Sequence, residues 1–207
     1  FKKTTDWINS STRGKQLPDW KHFTIGKIRN LDAVEFPLIK GSATFAIPSD
    51  ISLALDQKKR IAGGSLSRMI FIKSGNNILI REVDYIPELS YLEKNQFDIS
   101  KISILNQNDF SGNIVVRNWN GDVVNSAIYE NGKPIKIAKK LTKRRNISEV
   151  SNLSSRTEEE VCHTYQYCIW QIDCELTIYS DGMVTNECGE WYNTGDCWIE
   201  EYCYETD

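Results

Sequence analysis

The residues with the most chemical potential in this chain are six cysteines, Cys162, Cys168, Cys174, Cys188, Cys197 and Cys203, with none in the preceding 161 residues. Zinc would want close pairs such as C-x2-C, with Cys or His completing a tetrahedron. The intervals here are five, five, thirteen, eight and five residues, and the nearby histidine is His163. No metal site is expected. Cysteines crowded into one short stretch predict three disulfides and an oxidising compartment.

Residues 162–179 are rich in Tyr, Ile, Thr and Trp, which predicts an extended segment. In a strand, the even spacing of Cys162, Cys168 and Cys174 turns all three to one side. At about 3.3 Å per residue, neighbours in that trio lie roughly 20 Å apart, beyond the ~7 Å Cα reach of a bridge. Each must therefore pair with Cys188, Cys197 or Cys203, which leaves about six of the fifteen connectivities. Ser180-Asp181-Gly182 reads as a three-residue hairpin loop with Gly182 left-handed, placing Cys174 opposite Cys188. The other two bridges are nested, Cys162 to Cys203 with Cys168 to Cys197, or parallel, Cys162 to Cys197 with Cys168 to Cys203. The nested set is preferred.

The same stretch, with Tyr204, holds Tyr165, Tyr167, Trp170, Tyr179, Trp191, Tyr192, Trp198 and Tyr202. On a strand over 162–179 the odd positions place His163, Tyr165, Tyr167, Asp173, Glu175 and Tyr179 on the face opposite the cysteines. If the later strands follow suit, Trp191, Trp198, Glu200 and Tyr202 share it. The ligand-binding candidates are thus Tyr165, Tyr167, Asp173, Glu175, Trp191, Trp198, Glu200 and Tyr202. Aromatic area beside carboxylates suits a sugar, a cation or a protein surface. The competing role is to cover a thin disulfide core, since small scaffolds need every apolar contact.

Catalytic signatures are missing: there is no G-x-S-x-G, Walker loop, G-x-G-x-x-G or H-E-x-x-H. With His22 and His163 as its two histidines, the chain offers neither a histidine triad nor a two-histidine metal site. No catalytic residue and no cofactor is expected. A glycosidase pair among 28 carboxylates is a weak rival, because any such chain offers pairs.

At 207 residues and 40% hydrophobic content the chain can hold one substantial domain and a small stapled one. Its net charge of −3 hides an asymmetry. All 25 Lys and Arg lie at or before Arg156, giving residues 1–156 a formal +10, whereas 157–207 carries thirteen carboxylates and −13. Such halves can dock on one another, recruit a cationic partner or calcium, or simply be solvated. No run approaches the ~18 apolar residues of a membrane span. The start at Phe1-Lys2-Lys3 reads as a trimmed export product, with a lipid anchor upstream of Phe1 compatible with that start. The expected setting is extracytoplasmic: secreted, periplasmic or a cell-surface lipoprotein.

Ahead of the cysteines, Gly, Pro, Asn and Asp punctuate short strands over 22–28, 33–39 and 43–47. Trp7 and Trp20 are expected to cap a core edge. Ser49-Asp50 predicts a helix over 51–59, with Gly63-Gly64 as a break. A hairpin follows, 67–73 to 77–86 across Ser74-Gly75-Asn76, and then a short helix within 87–97. Asn120-Gly121 and Asn131-Gly132 between alternating strands predict an antiparallel meander over 113–138. The basic run Lys133 to Arg145 lacks interleaved aromatics, so no nucleic-acid partner is expected. The fold class is mainly β with one or two short helices: an antiparallel domain over 1–145, a linker at 146–160 and a small acidic disulfide-rich β module over 161–207.

Leu17-Pro18-Asp19-Trp20, the Ser67-Arg68-Met69-Ile70-Phe71 strand, the Gly112 to Gly132 meander and the Cys, Tyr and Trp-rich tail together resemble a group of uncharacterised secreted or lipoprotein-type Bacteroidota proteins. The resemblance spans most of the chain as short motifs. It implies export and a two-part layout, and supplies no activity. The expected function is that of a non-catalytic binding or surface protein with a protein or glycan ligand. The rivals are a secreted glycan hydrolase and an inhibitor or immunity-type protein presenting the Asn193-Thr194-Gly195-Asp196 loop.

Overall fold

The computed structural model describes residues 16–48, 53–106, 109–137, 160–179 and 184–205. Trp7, the linker, the basic run beyond Ile137 and the Ser180-Asp181-Gly182 loop lie outside them.

Short-range turn chemistry builds the first sheet. β1 (Gln16–Pro18) is followed by β2 (Thr24–Ile28) and β3 (Leu31–Lys40). Arg29 and Asn30 link the last two with φ of 47° and 72°. Two residues at positive φ match the twist of the flanking strands. β5 (Leu66–Ser74) returns as β6 (Asn77–Pro87) through Gly75 at φ 61°. The meander is β7 (Gly112–Asn118), β8 (Val123–Glu130) and β9 (Lys133–Ile137). Its second turn, Asn131-Gly132, has both residues at positive φ, 49° and 76°.

The first meander turn differs from expectation. Asn118 N donates to Asp122 O at 2.9 Å, so the loop is three residues long with Gly121 left-handed at φ 92°. That geometry brings a ladder irregularity, seen between Val116 and Arg117. The antiparallel sheet is eight-stranded, in the order β1-β3-β5-β6-β7-β8-β9 with β2 also on β3.

Two helices pack near one end of this sheet. α1 (Leu55–Gly64) starts four residues later than expected and runs through Gly63-Gly64. Those glycines serve close approach rather than a break. An ideal Cβ on Gly64 would sit 2.5 Å from Leu92 Cδ2, and one on Gly63 would sit 3.4 Å from Trp191 Nε1. Gln57 Oε1 accepts the Ala54 N–H at 2.8 Å, satisfying a donor at the helix start. α2 (Leu89–Lys94) falls where expected and buries Tyr91 and Leu92.

The second sheet holds β4 (Ser42–Pro48), β10 (Glu160–Ile178), β11 (Val184–Cys188) and β12 (Tyr192–Glu205), with β10 central. β3 and β4 are separated by Gly41 alone, so one extended passage leaves the first sheet and enters the second, a sheet-switching corner. β4 pairs with β10 from Pro48 opposite Tyr167 to Ser42 opposite Asp173. Phe45 lies opposite Trp170, and both are buried in one cluster with Ile70, Val83, Tyr85 and Ile114 of the first sheet. The sequence boundary at 146–160 therefore separates stretches that share a core.

Disulfides join Cys168 to Cys197 and Cys174 to Cys188, as the hairpin register and the nested set require. The backbone also places Cys162 directly opposite Cys203. Peptide mapping of the unreduced protein should recover all three nested bridges; a Cys162–Cys197 peptide would refute the register. A second test lies at Gly112, where φ is 147° and an ideal Cβ would meet Ile86 O at 2.3 Å and Pro87 Cα at 2.7 Å. Backbone cannot give way as a side chain can. Gly112→Ala should lower the unfolding free energy by about 2–4 kcal/mol in denaturant melts.

Candidate binding cleft at the junction of the two sheets

Where β3 hands over to β4, the two sheets enclose a cleft of about 480 Å³. Its walls come from β3, β4, the end of α1, the start of β5, Ser100, β10, β11 and Trp191. That volume lies within the range of small-ligand sites. One wall is apolar: Phe45 packs on Trp191 with ring centroids 5.7 Å apart, beside Ile172 and the Cys174–Cys188 bridge. Lys40, Ser67 and Arg68 also line the cleft, and no Asp or Glu is among the described residues that do.

Lys40 sits in a buried polar layer that strand alternation creates. Lys40, Ser67, Glu82, Asp84 and Arg117 occupy one face of β3, β5, β6 and β7. Lys40 Nζ lies 2.5 Å from Glu82 Oε1 and 2.8 Å from Ser67 Oγ, and Ser67 donates to Asp84 Oδ1 at 2.6 Å. Arg117 Nε donates to Asp84 Oδ2 at 3.0 Å. Burial of opposite charges is tolerated when each is hydrogen-bonded, and removing one partner is costly.

Arg68 projects from the other face of β5 and is 5% exposed. One of its terminal nitrogens donates to the Ser100 carbonyl, while its Nε–H has no acceptor among the described residues. Behind it, Glu35 accepts hydrogen bonds from Tyr85 and Ser103. Burial raises the Glu35 carboxyl above its ordinary value against the pull of Ser103, Tyr85 and Arg68. Burial, and then Glu35, push the Tyr85 phenol well above the usual range.

Ser67 beside Lys40 has the outline of a nucleophile and base. A base needs a free lone pair, however, and here the ammonium is ion-paired to Glu82 while the Ser67 hydroxyl is given to Asp84. The arrangement can hold a ligand; it is not set to attack one.

The candidate residues named from sequence distribute differently. In the β10–β12 register Tyr165 lies opposite Glu200, Tyr167 opposite Trp198 and His163 opposite Tyr202, which puts those positions on one face. Tyr167 is 2% exposed and borders a separate, largely apolar cavity of about 430 Å³. Asp173 is exposed and accepts from Tyr192 Oη at 3.0 Å and Gln171 Nε2 at 2.8 Å. Glu175 is exposed, opposite Glu187. Trp191 precedes β12 and lines the cleft beside the Cys174–Cys188 bridge. Asn193-Thr194-Gly195-Asp196 is an irregularity within β12, with Gly195 N donating to Asn193 Oδ1 and Asp196 N to Thr194 Oγ1.

Lys40, Ser67 and Arg68 escaped the sequence reading. Their one signal was charge inside otherwise apolar strands. No protein-family model matches this chain, and neither a curated protein nor a solved structure matches it.

Glu35 supplies a pH test. Its folded-state value lies above the unfolded one, so the stability it contributes when neutral is full below the unfolded value and is lost as pH rises through the folded value. Glu35→Gln should flatten the fall in unfolding free energy as pH rises above 4.5. Parallel pH profiles for the two proteins would contradict this.

Proposed function

We propose that this chain is a non-catalytic, extracytoplasmic binding protein that holds a small ligand in the cleft between its two sheets. The observation that carries this reading is the cleft's composition: the aromatic pair of Phe45 and Trp191 shares it with Lys40, Ser67 and Arg68, with no carboxylate among the described lining residues. A glycan hydrolase would need two carboxyl groups flanking the bound sugar, and an inhibitor of the kind considered would present Asn193–Asp196 as a projecting loop. The disulfides Cys168–Cys197 and Cys174–Cys188 support an oxidising setting.

The oxidised full-length protein should be screened by thermal unfolding against small organic acids, amines and oligosaccharides, with each compound analysed by mass spectrometry afterwards. A ligand at about a hundredfold its Kd adds about 2.7 kcal/mol to stability. The expected outcome is saturable stabilisation by a compound recovered unchanged, weakened by Trp191→Ala. Conversion of the compound would replace binding with catalysis. Stabilisation indifferent to Trp191 would move the site elsewhere.

A further inference from the structure

We propose that this cleft selects a monoanion, specifically a carboxylate carried on a flat or aliphatic apolar body, with Arg68 as the anion's donor and Trp191 and Phe45 as the platform for the body. The inference rests on the binding reading above and adds the ligand's chemical class. Its first support is the unspent donor: Arg68 is 5% exposed, yet its Nε–H meets no acceptor among the described residues. A buried charged donor left without a partner is costly, and a bound oxygen would remove that cost. A guanidinium is built to grip a carboxylate through fixed parallel donors.

The second support is charge distribution. Lys40 and Arg68 line the cleft with no acid among the described lining residues. Lys40 is already matched by Glu82 at 2.5 Å and Asp84 at 3.9 Å, so it brings little net charge to the cleft. Arg68, whose charge also acts on the buried Glu35 carboxyl, is the lining cation with a donor unpaired among the described residues. That favours one negative charge over a phosphate dianion, which would also meet the field of Glu82 and Asp84 behind Lys40. The third support is the lining: the Phe45–Trp191 pair offers aromatic area in the same cleft as the cation, suiting a ligand with one charged end and one apolar end.

The test uses matched pairs: phenylacetate with phenylacetamide, indole-3-acetate with indole-3-acetamide and octanoate with octanamide, plus inorganic phosphate. Each is titrated into the oxidised full-length protein and followed through the backbone amide signals of Ser100 and Asn186, which border the cleft. At least one acid should bind about tenfold or more tighter than its amide, as expected for a charge-assisted hydrogen bond. Arg68→Gln should erase that ratio, and Trp191→Ala should weaken acid and amide alike. Should Arg68→Gln fail to fold, the wild-type ratio together with Trp191→Ala decides. Equal binding of acids and amides would overturn the carboxylate inference and leave the binding reading intact. Tighter binding of phosphate than of every acid would also overturn it. If no acid or amide perturbs either amide signal, both readings fall.

Discussion

The ladder between β4 and β10 is the constraint on which the rest depends. It joins residues 42–48 to 167–173, and its central rung sets Phe45 against Trp170. Burial of two aromatics this size contributes several kcal/mol. Without that rung the C-terminal strands would have a thin core of their own, and the cleft would lose its aromatic wall. Ionic attraction between the oppositely charged ends contributes less. Among the described residues, Lys59 to Glu190 at 3.2 Å bridges α1 and the approach to β12, and Glu190 is exposed. Exposed pairs of that kind are worth little.

The polar layer behind the cleft follows from the same architecture. A strand cannot turn one charged residue outward without turning its neighbours inward, so the charged and apolar sets of β5 and β6 interleave. Glu82 and Asp84 are buried beside Lys40, and Arg117 reaches Asp84 from β7. Each of these charges is held by partners on other strands, which fixes strand register as firmly as the apolar face does. Arg68 lies outside this layer, on the other face of β5, and its Nε meets no acceptor among the described residues.

What was legible in the sequence was what the chain encodes within a few residues. Asn131-Gly132 specifies its turn through positive φ, and the even cysteine spacing with a short hairpin put Cys174 against Cys188. The start of α1 was misread because Ile51, Leu53 and Leu55 carry no clear period and the paired glycines looked like a stop. Their true role depends on Leu92 and Trp191, which are distant in sequence. The β4–β10 ladder left no local trace, since either strand could have joined another edge. The cleft was invisible for the same reason: its lining residues come from strands and a helix that are distant in sequence. Among the described residues, Trp191 was the nominated residue that reached the cleft.

The single passage from β3 through Gly41 into β4 has a consequence for biogenesis. A ribosome releases residues 42–48 long before 167–173, and at roughly 5–20 residues per second the interval lasts several seconds or more. Throughout that time the nascent first half carries an unzipped margin rich in Ala, Phe and Ile, the kind of edge that recruits foreign strands. Maturation thus ends, rather than begins, with the tail being threaded alongside that margin. Folding helpers that shield extended segments would be needed most by a chain interrupted between those two moments.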